Sequence, residues 1–155
     1  MNNGRLMGID QGLKRIGVAV SDPTWLVAKE LTIITRTSKQ ADFARLQHLI
    51  TEQKVAALIV GIPTKHVPDE VYTQADSIRR WVDHLAAAIP LPITLWDEHL
   101  TSADARELSI RQRRGPRDPI DDLAARFILQ SYLDALRDGL APHPLHPAPH
   151  NQPLE

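Results

Sequence analysis

Three acidic residues lie where predicted strands or helices begin or end: Asp10, Glu98 and Asp121. Because chain segments leave a sheet at its edges, these side chains can converge on one patch. Mg²⁺ binds oxygen ligands and keeps several waters, so two or three carboxylates would suit it. The chemistry predicted is phosphodiester hydrolysis, in which two ions roughly 4 Å apart activate water and stabilise the leaving oxygen.

Each acid also has a structural interpretation. Asp10 ends an apolar run and precedes Gly12, and Asp is common beside tight turns. Asp121 lies in the first turn of a predicted helix, where a negative charge stabilises the helix terminus. Asp97 and Glu98 together could form only a polar loop. The functional interpretation is favoured because one arrangement accounts for all three acids.

Basic residues form one local cluster, in the loop that precedes Asp121. Arg111, Arg113, Arg114 and Arg117 surround a Gly-Pro pair and could clamp phosphates on either side of a scissile bond. Lys14 and Arg15, in the first hairpin, would add two further phosphate contacts. A solvated run of charge is the alternative. Binding through these cations would depend on salt and would not read sequence strongly.

Composition excludes several other classes of protein. The chain has 155 residues, 43% of them hydrophobic, which suffices for one domain with its own core. It has no cysteine, so disulfides, thiolate zinc sites and cysteine nucleophiles are excluded. No signal sequence or membrane-length apolar run is visible, and we expect a soluble cytoplasmic protein. The net charge of −1 does not itself indicate a nucleic-acid partner.

Strand-like and helix-like stretches alternate along the chain, which predicts an α/β domain with one sheet. The first three strands are joined by short turns and predict an antiparallel meander. The predicted strands are 6–10, 16–21, 31–35, 57–61 and 93–96. Helices are predicted after Ser38, over 71–89, from 101 or 102 to about 109, and from 118 to about 138.

The end of the chain predicts a boundary between a folded domain and a tail. Asp118 followed by Pro119 is a typical helix start, and Gly139 ends this last helix. Residues 140–155 hold five of the twelve prolines and three of the seven histidines, with few apolar residues. We therefore predict a domain over 1–139 and a disordered Pro-rich tail over 140–155. Those histidines could bind a metal, but a solvated tail is the favoured interpretation.

Four blocks of sequence resemble the YqgF/RuvX family, in the family's order and over nearly the whole predicted domain. They are Gly8-Ile9-Asp10 through Lys14-Arg15-Ile16-Gly17 to Ser21-Asp22; Ile59-Val60-Gly61-Ile62-Pro63; Asp97-Glu98-His99-Leu100-Thr101-Ser102; and Ile120-Asp121-Asp122-Leu123-Ala124-Ala125 with Ile128 to Leu133. The resemblance implies a ribonuclease H-like fold with a five-stranded mixed sheet and flanking helices. It also implies a metal-dependent nuclease, since members are described as Holliday junction resolvases and as nucleases that mature the 5′ end of the small-subunit ribosomal RNA precursor.

By position, the resemblance assigns the family's three acids to Asp10, Glu98 and Asp121, with Mg²⁺ or Mn²⁺ as the metal. Asp122 follows directly, but one helical step turns it about 100° away. Two features depart from the family's pattern near the acids, where His99 replaces an arginine and a lysine before Asp121 is missing. A third is the segment 64–68, which replaces a glycine-bearing loop.

Several alternatives stay open at this stage. The substrate could be ribosomal precursor RNA or a branched DNA junction, because phosphate contacts look alike in both. A resolvase would pair two copies of the chain, whereas an RNA-trimming enzyme could act as a monomer. Two rivals are a nucleotide phosphotransferase, which would need a second facing domain, and a ribosome-assembly factor that binds nucleic acid without cutting it.

Overall fold

The computed structural model describes residues 4–63, 74–97, 102–115 and 117–147. Five strands form one sheet in the order β3-β2-β1-β4-β5. The strands are β1 Arg5–Gln11, β2 Arg15–Ser21, β3 Ala28–Thr35, β4 Val55–Ile62 and β5 Ile93–Asp97. The helices are α1 Lys39–Gln53, α2 Gln74–Ala88, α3 Ser102–Arg111 and α4 Asp121–Arg137. The predicted five-stranded mixed sheet with flanking helices is confirmed.

The sheet combines a meander with a parallel half. Strands β1, β2 and β3 pair antiparallel, as the short turns predict, while β1, β4 and β5 are mutually parallel. Parallel neighbours require crossover connections, and α1 and α2 occupy those connections. The carboxyl ends of β1, β4 and β5 consequently lie at the same edge of the sheet.

Alternation along the strands divides the core into two faces. On one face, large side chains of the central strands such as Met7, Ile9 and Leu58 pack against α1 and α2. On the other face smaller residues, including Ala19 and Ala57, pack against α4. Small side chains let α4 approach the sheet closely, so the position of α4 is set by residue size on this face.

Two helix starts illustrate where sequence signals succeed and fail. Ser38 caps α1 as predicted, because its hydroxyl accepts a hydrogen bond from the Ala41 N–H at 3.1 Å. The prediction that the last helix starts at Asp118-Pro119 is wrong, since α4 begins at Asp121. The Asp118 carboxylate instead accepts a hydrogen bond from the Gly115 N–H at 2.6 Å, which closes a turn.

Residues 140–147, the first half of the predicted tail, pack on the domain in the structure. Pro144 is buried, and Leu145 packs on the α4 face of the sheet. The Tyr132 hydroxyl donates a hydrogen bond to the Pro142 carbonyl, and the His143 ring contacts Trp25 edge-on with a centroid distance of 5.7 Å. The rings of proline and histidine thus contribute to packing here, although a prediction from composition treats these residues as unable to pack. Residues 148–155 lie outside the described part of the chain.

None of the described helices is long and apolar enough to span a membrane.

Candidate active site

Asp10 lies near the carboxyl end of β1, on the face that α4 covers. Gly8, two residues earlier, lies against α4, since a Cβ there would be 2.7 Å from the Leu129 Cβ. Side chains alternate along a strand, so Asp10 shares that face. It is half-buried, and its Cα pairs with that of Gly17 on β2. The acid predicted from sequence therefore faces the start of α4.

The first turn of α4 rests directly on Gly17. A Cβ at Gly17 would lie 1.8 Å from the Asp121 carbonyl oxygen and 2.9 Å from the Asp122 nitrogen, so no other residue fits without moving the helix. Because Gly17 is the cross-strand partner of Asp10, Asp121 and Asp10 are brought to the same place. These two acids, remote in sequence, therefore lie close to the same cross-strand pair of β1 and β2.

The Asp121 side chain extends over the turn that follows Asp10. A Cβ on Gly12 would lie 3.8 Å from the Asp121 Oδ1 atom, while Oδ2 accepts a hydrogen bond from the Arg15 Nε atom at 2.8 Å. The Asp121 side chain is 19% exposed. Its place at the first residue of α4 puts the carboxylate in the positive field of the helix N-terminus.

The third predicted ligand, Glu98, lies outside the described residues, as do His99 and the segment 64–68. Asp97, which directly precedes Glu98, ends β5, and its Cα pairs with that of Ile62. β1 and β5 run parallel with β4 between them, so their ends lie at one edge, roughly 10 Å apart.

Asp10 and Asp121 offer the carboxylate oxygens that a hard divalent cation requires. Within the described residues, which exclude Glu98, no group of three or more His, Cys, Asp and Glu side chains is arranged to hold a metal ion. Two partly exposed carboxylates at one edge do fit a hard divalent cation that retains several waters. Gly12 has no side chain, which leaves space beside the Asp121 carboxylate. Asp10 and Asp121 are the described residues that would hold the cation.

Asp122 makes a different contact from its neighbour. It accepts hydrogen bonds from Nη1 and Nη2 of Arg114 at 2.6 and 2.8 Å, and the residue is 6% exposed. The hydrogen bond from Arg114 to Asp122 raises the pKa of the guanidinium, so Arg114 stays charged. Asp122 thus binds the arginine loop, in agreement with the sequence prediction that it points away from Asp10 and Asp121.

The loop that carries the arginines is also tied to β3. Glu30 accepts hydrogen bonds from the Gln112 amide at 2.7 Å and from Arg126 at 3.3 Å. Burial raises the pKa of Glu30, but the Gln112 hydrogen bond and the charge of Arg126 outweigh that effect and lower it overall. Arg106 donates to the carbonyls of Gly115 and Asp118. The loop is therefore held by contacts with β3, α3 and α4.

The six predicted nucleic-acid contacts differ in how far they are already engaged. Arg15 and Arg114 pair with Asp121 and Asp122, and Arg111 pairs with Glu107 one helical turn away on an exposed surface. Within the described part of the chain, the remaining three are exposed and form no ion pair; they are Lys14, Arg113 and Arg117. Exposed cations without a partner are the ones that a phosphate can engage without breaking an existing contact.

Two functional residues were not predicted from sequence. Glu30 anchors the arginine loop, and Arg36 braces the hairpin beside Asp10 by donating to the Gly12 carbonyl at 2.7 Å. The Arg36 N–H also donates to the Lys14 carbonyl at 2.9 Å. In both cases the sequence does show a charged residue within or directly after a strand. It does not show which residue that charged side chain contacts.

The fold is shared with Holliday junction resolvases of known structure. RuvC from Thermus thermophilus aligns with a TM-score of 0.56 and 15% identity over 88% of this chain and 97% of that chain. The Holliday junction resolvase of Fowlpox virus aligns with a TM-score of 0.52 and 15% identity over 84% and 99%. At such identities the likeness shows the fold, so the class is a ribonuclease H-like α/β domain, as predicted.

Sequence comparison identifies the family within that class. Residues 4–135 match the RuvX family, described as Holliday junction resolvase. A protein of Thermoanaerobacter pseudethanolicus is 41% identical over 138 residues, or 86% of this chain and 99% of that protein. One of Moorella thermoacetica is 41% identical over 135 residues, or 85% and 96%. Both are named "Putative pre-16S rRNA nuclease". The chain belongs to the RuvX family, which confirms the resemblance.

Proposed function

We propose that the chain is a divalent-metal-dependent endonuclease that cleaves structured nucleic acid. The observation that supports it most directly is the meeting of Asp10 and Asp121 at one sheet edge, made possible by Gly17. Membership of a family described as resolvases, with relatives named as nucleases, gives the same chemistry. Glu98 is assigned as the third ligand by its position in the family's sequence.

The metal would be Mg²⁺ or Mn²⁺, held by carboxylate oxygens. Bound there, it supplies a water of lowered pKa and charge stabilisation for the leaving oxygen. The protein's own part is to fix two carboxylates on rigid elements, a strand and a helix N-terminus, so that little reorganisation is needed when the substrate arrives.

Substrate binding is assigned to the hairpin cations and the arginine loop. Lys14, Arg113 and Arg117 would contact backbone phosphates directly, and Arg111 would do so after releasing Glu107. Arg15 is assigned to a phosphate next to the metal, and Arg114 to holding the loop in place. Each phosphate contact should steepen the salt dependence of binding, by about 0.9 in log–log slope on duplex DNA.

The substrate we favour is the 5′ end of the small-subunit ribosomal RNA precursor, cleaved in the cytoplasm during ribosome biogenesis. Relatives that share 41% identity over nearly their whole length are named for cleavage of pre-16S rRNA, and the resemblance to the family implies its 5′ end. The alternative is a Holliday junction, because the family description and a RuvC structure solved with a junction substrate both name it. A dimer would suit the junction, and a monomer would suffice for RNA.

The test compares Asp10→Asn with the wild-type protein on a ribosomal precursor fragment and on a four-way DNA junction, each with Mg²⁺. Asp138→Asn is the matched control, since Asp138 is an exposed acid at the far end of α4. We expect Asp10→Asn to abolish cleavage and Asp138→Asn to retain it. Equal cleavage by wild type and Asp10→Asn would refute the assignment. If the wild-type protein binds both substrates but cuts neither, it acts as a binding factor without nuclease activity.

A further inference from the structure

One contact at the candidate metal site involves a cation of the protein itself. Arg15 reaches Asp121 through a single bond, from Nε to Oδ2 at 2.8 Å. The Arg15 side chain is 43% exposed, and that of Asp121 is 19% exposed. The guanidinium therefore contacts a carboxylate that is also a predicted metal ligand.

The Arg15 side chain can move without moving the backbone. Arg15 begins β2, its Cα pairs with that of Thr35 on β3, and its carbonyl accepts a hydrogen bond from the Gly12 N–H at 2.9 Å. Ion pairs exposed to this degree contribute little to stability, because water screens them and two side chains lose freedom. The main chain is thus fixed, while within the described residues the side chain makes one hydrogen bond, to Asp121.

A divalent cation and the Arg15 guanidinium would compete for the same carboxylate. Both are positive, and placing them side by side on Asp121 would cost electrostatic repulsion. We propose, on the basis of the metal-dependent function proposed above, that Arg15 is an exchangeable cation. It pairs with Asp121 in the metal-free protein and is released when metal binds, which frees it for a substrate phosphate.

This exchange couples metal binding to nucleic-acid binding. When metal occupies the site, one more guanidinium becomes available to the substrate, so nucleic acid should bind more tightly. By linkage, bound nucleic acid should raise the metal affinity by the same factor. Arg15 would therefore contact a substrate phosphate when metal occupies Asp121, and would pair with Asp121 when it does not.

Lys14 provides a matched control for the effect of charge alone. It is adjacent in sequence, exposed, and forms no ion pair within the described part of the chain. Replacing either residue by glutamine removes one positive charge from the same hairpin. Only Arg15→Gln also removes a direct competitor for Asp121.

The first experiment measures Mn²⁺ binding to wild type, Arg15→Gln and Lys14→Gln by electron paramagnetic resonance, without nucleic acid. Arg15→Gln should bind Mn²⁺ about two- to fivefold more tightly, as expected for loss of an exposed ion pair. Lys14→Gln should change the affinity less than about 1.5-fold, since screening weakens distant charges. Equal affinities in the two variants, or weaker binding by Arg15→Gln, would overturn the exchange. Absence of Mn²⁺ binding by the wild type would instead overturn the proposed metal site.

The second experiment observes the contact directly through the arginine Nε–H signals in ¹⁵N nuclear magnetic resonance spectra. The Arg15 signal is assigned by its absence from Arg15→Gln. It should move during a Mg²⁺ titration in step with site occupancy, while the Arg114 signal, held by Asp122, should stay in place. An Arg15 signal unchanged at saturating Mg²⁺ would show that the pair persists and would refute the exchange.

Discussion

Asp121 and Asp122 are the same residue type, adjacent in sequence, and each contacts an arginine, yet the two pairs differ. The Asp121 pair is one hydrogen bond to a half-exposed Arg15. The Asp122 pair is two hydrogen bonds to Arg114, with side-chain exposures of 9% and 22%. One carboxylate can exchange its partner, and the other cannot do so without leaving a buried charge.

The difference follows from helix geometry. Successive residues on a helix are turned by about 100°, so α4 presents Asp121 to the sheet edge and Asp122 to the arginine loop. The start of α4 therefore joins a proposed metal ligand and a loop anchor in two consecutive positions. The two residues are of the same type, so their different contacts follow from the direction in which each side chain points and from how deeply each is buried.

The largest expected effect is on the cleavage rate, which should differ between Asp121→Asn and Asp122→Asn. Asp121→Asn should lower the rate of metal-dependent cleavage at least about 10³-fold, because metal catalysis contributes several kcal/mol to the barrier. Asp122→Asn should retain cleavage per folded molecule within about tenfold. Single-turnover cleavage of the ribosomal precursor fragment measures both, and comparable losses in the two variants would remove the distinction.

The second prediction concerns stability, on which Asp122→Asn should have a larger effect than Asp121→Asn. Asp122→Asn leaves Arg114 without a charged partner, and breaking such a largely buried pair costs about 3 kcal/mol. Asp121→Asn breaks a more exposed contact and should change the free energy of unfolding by less than about 1 kcal/mol. Urea denaturation of both variants measures the difference. A larger loss for Asp121→Asn would contradict the account.

The third prediction tests how Asp121 reaches its place. Gly17→Ala would put a Cβ 1.8 Å from the Asp121 carbonyl oxygen, so α4 must shift at a cost of about 2 kcal/mol. Gly115→Ala is the control, since its Cβ would lie 3.4 Å from the nearest atom, on Asp118. Mn²⁺ affinity should fall in Gly17→Ala and stay unchanged in Gly115→Ala. Unchanged stability and Mn²⁺ affinity in Gly17→Ala would show that the close approach is unimportant.

The smallest expected effect concerns the second anchor of the arginine loop. Glu30→Gln weakens the contacts with Gln112 and Arg126 and should cost about 0.5–1 kcal/mol at neutral pH. Because folding lowers the pKa of Glu30, its contribution is complete above its ordinary value of 4.5 and is lost as pH falls through the folded value. Urea denaturation at a series of pH values should therefore show the two proteins converging in stability as the pH falls below 4.5. A difference that stays constant down to acid pH would contradict this role for Glu30.

Strand-like stretches joined by short turns predicted the sheet and its meander. The placement of Asp10 could also be predicted, because an acid at the end of an apolar run is a local signal. The sequence did not predict that α4 starts at Asp121, since Asp118-Pro119 satisfies the usual helix-start pattern while the Asp118 carboxylate is used by Gly115. Local patterns cannot show which of two partners a carboxylate takes.

Contacts between residues far apart in the chain could not be predicted from the sequence either. The hydrogen bond between Glu30 and Gln112 joins residues 82 positions apart, and no periodicity or propensity reports it. The packing of residues 140–147 likewise depends on Trp25, which is distant in sequence, as well as on Tyr132 in α4. The size restriction at Gly17 also becomes apparent only when α4 is placed against the sheet.

A metal site shared by Asp10 and Asp121 is tested by Mn²⁺ binding to Asp10→Asn, Asp121→Asn and Asp122→Asn, measured by electron paramagnetic resonance on folded protein. We expect Asp10→Asn and Asp121→Asn each to weaken binding by at least about tenfold, because loss of even an outer-shell partner of a metal ligand typically costs tenfold or more. Asp122→Asn should bind like the wild type. Wild-type affinity in Asp10→Asn or Asp121→Asn, or an equal loss in Asp122→Asn, would contradict a metal site shared by Asp10 and Asp121.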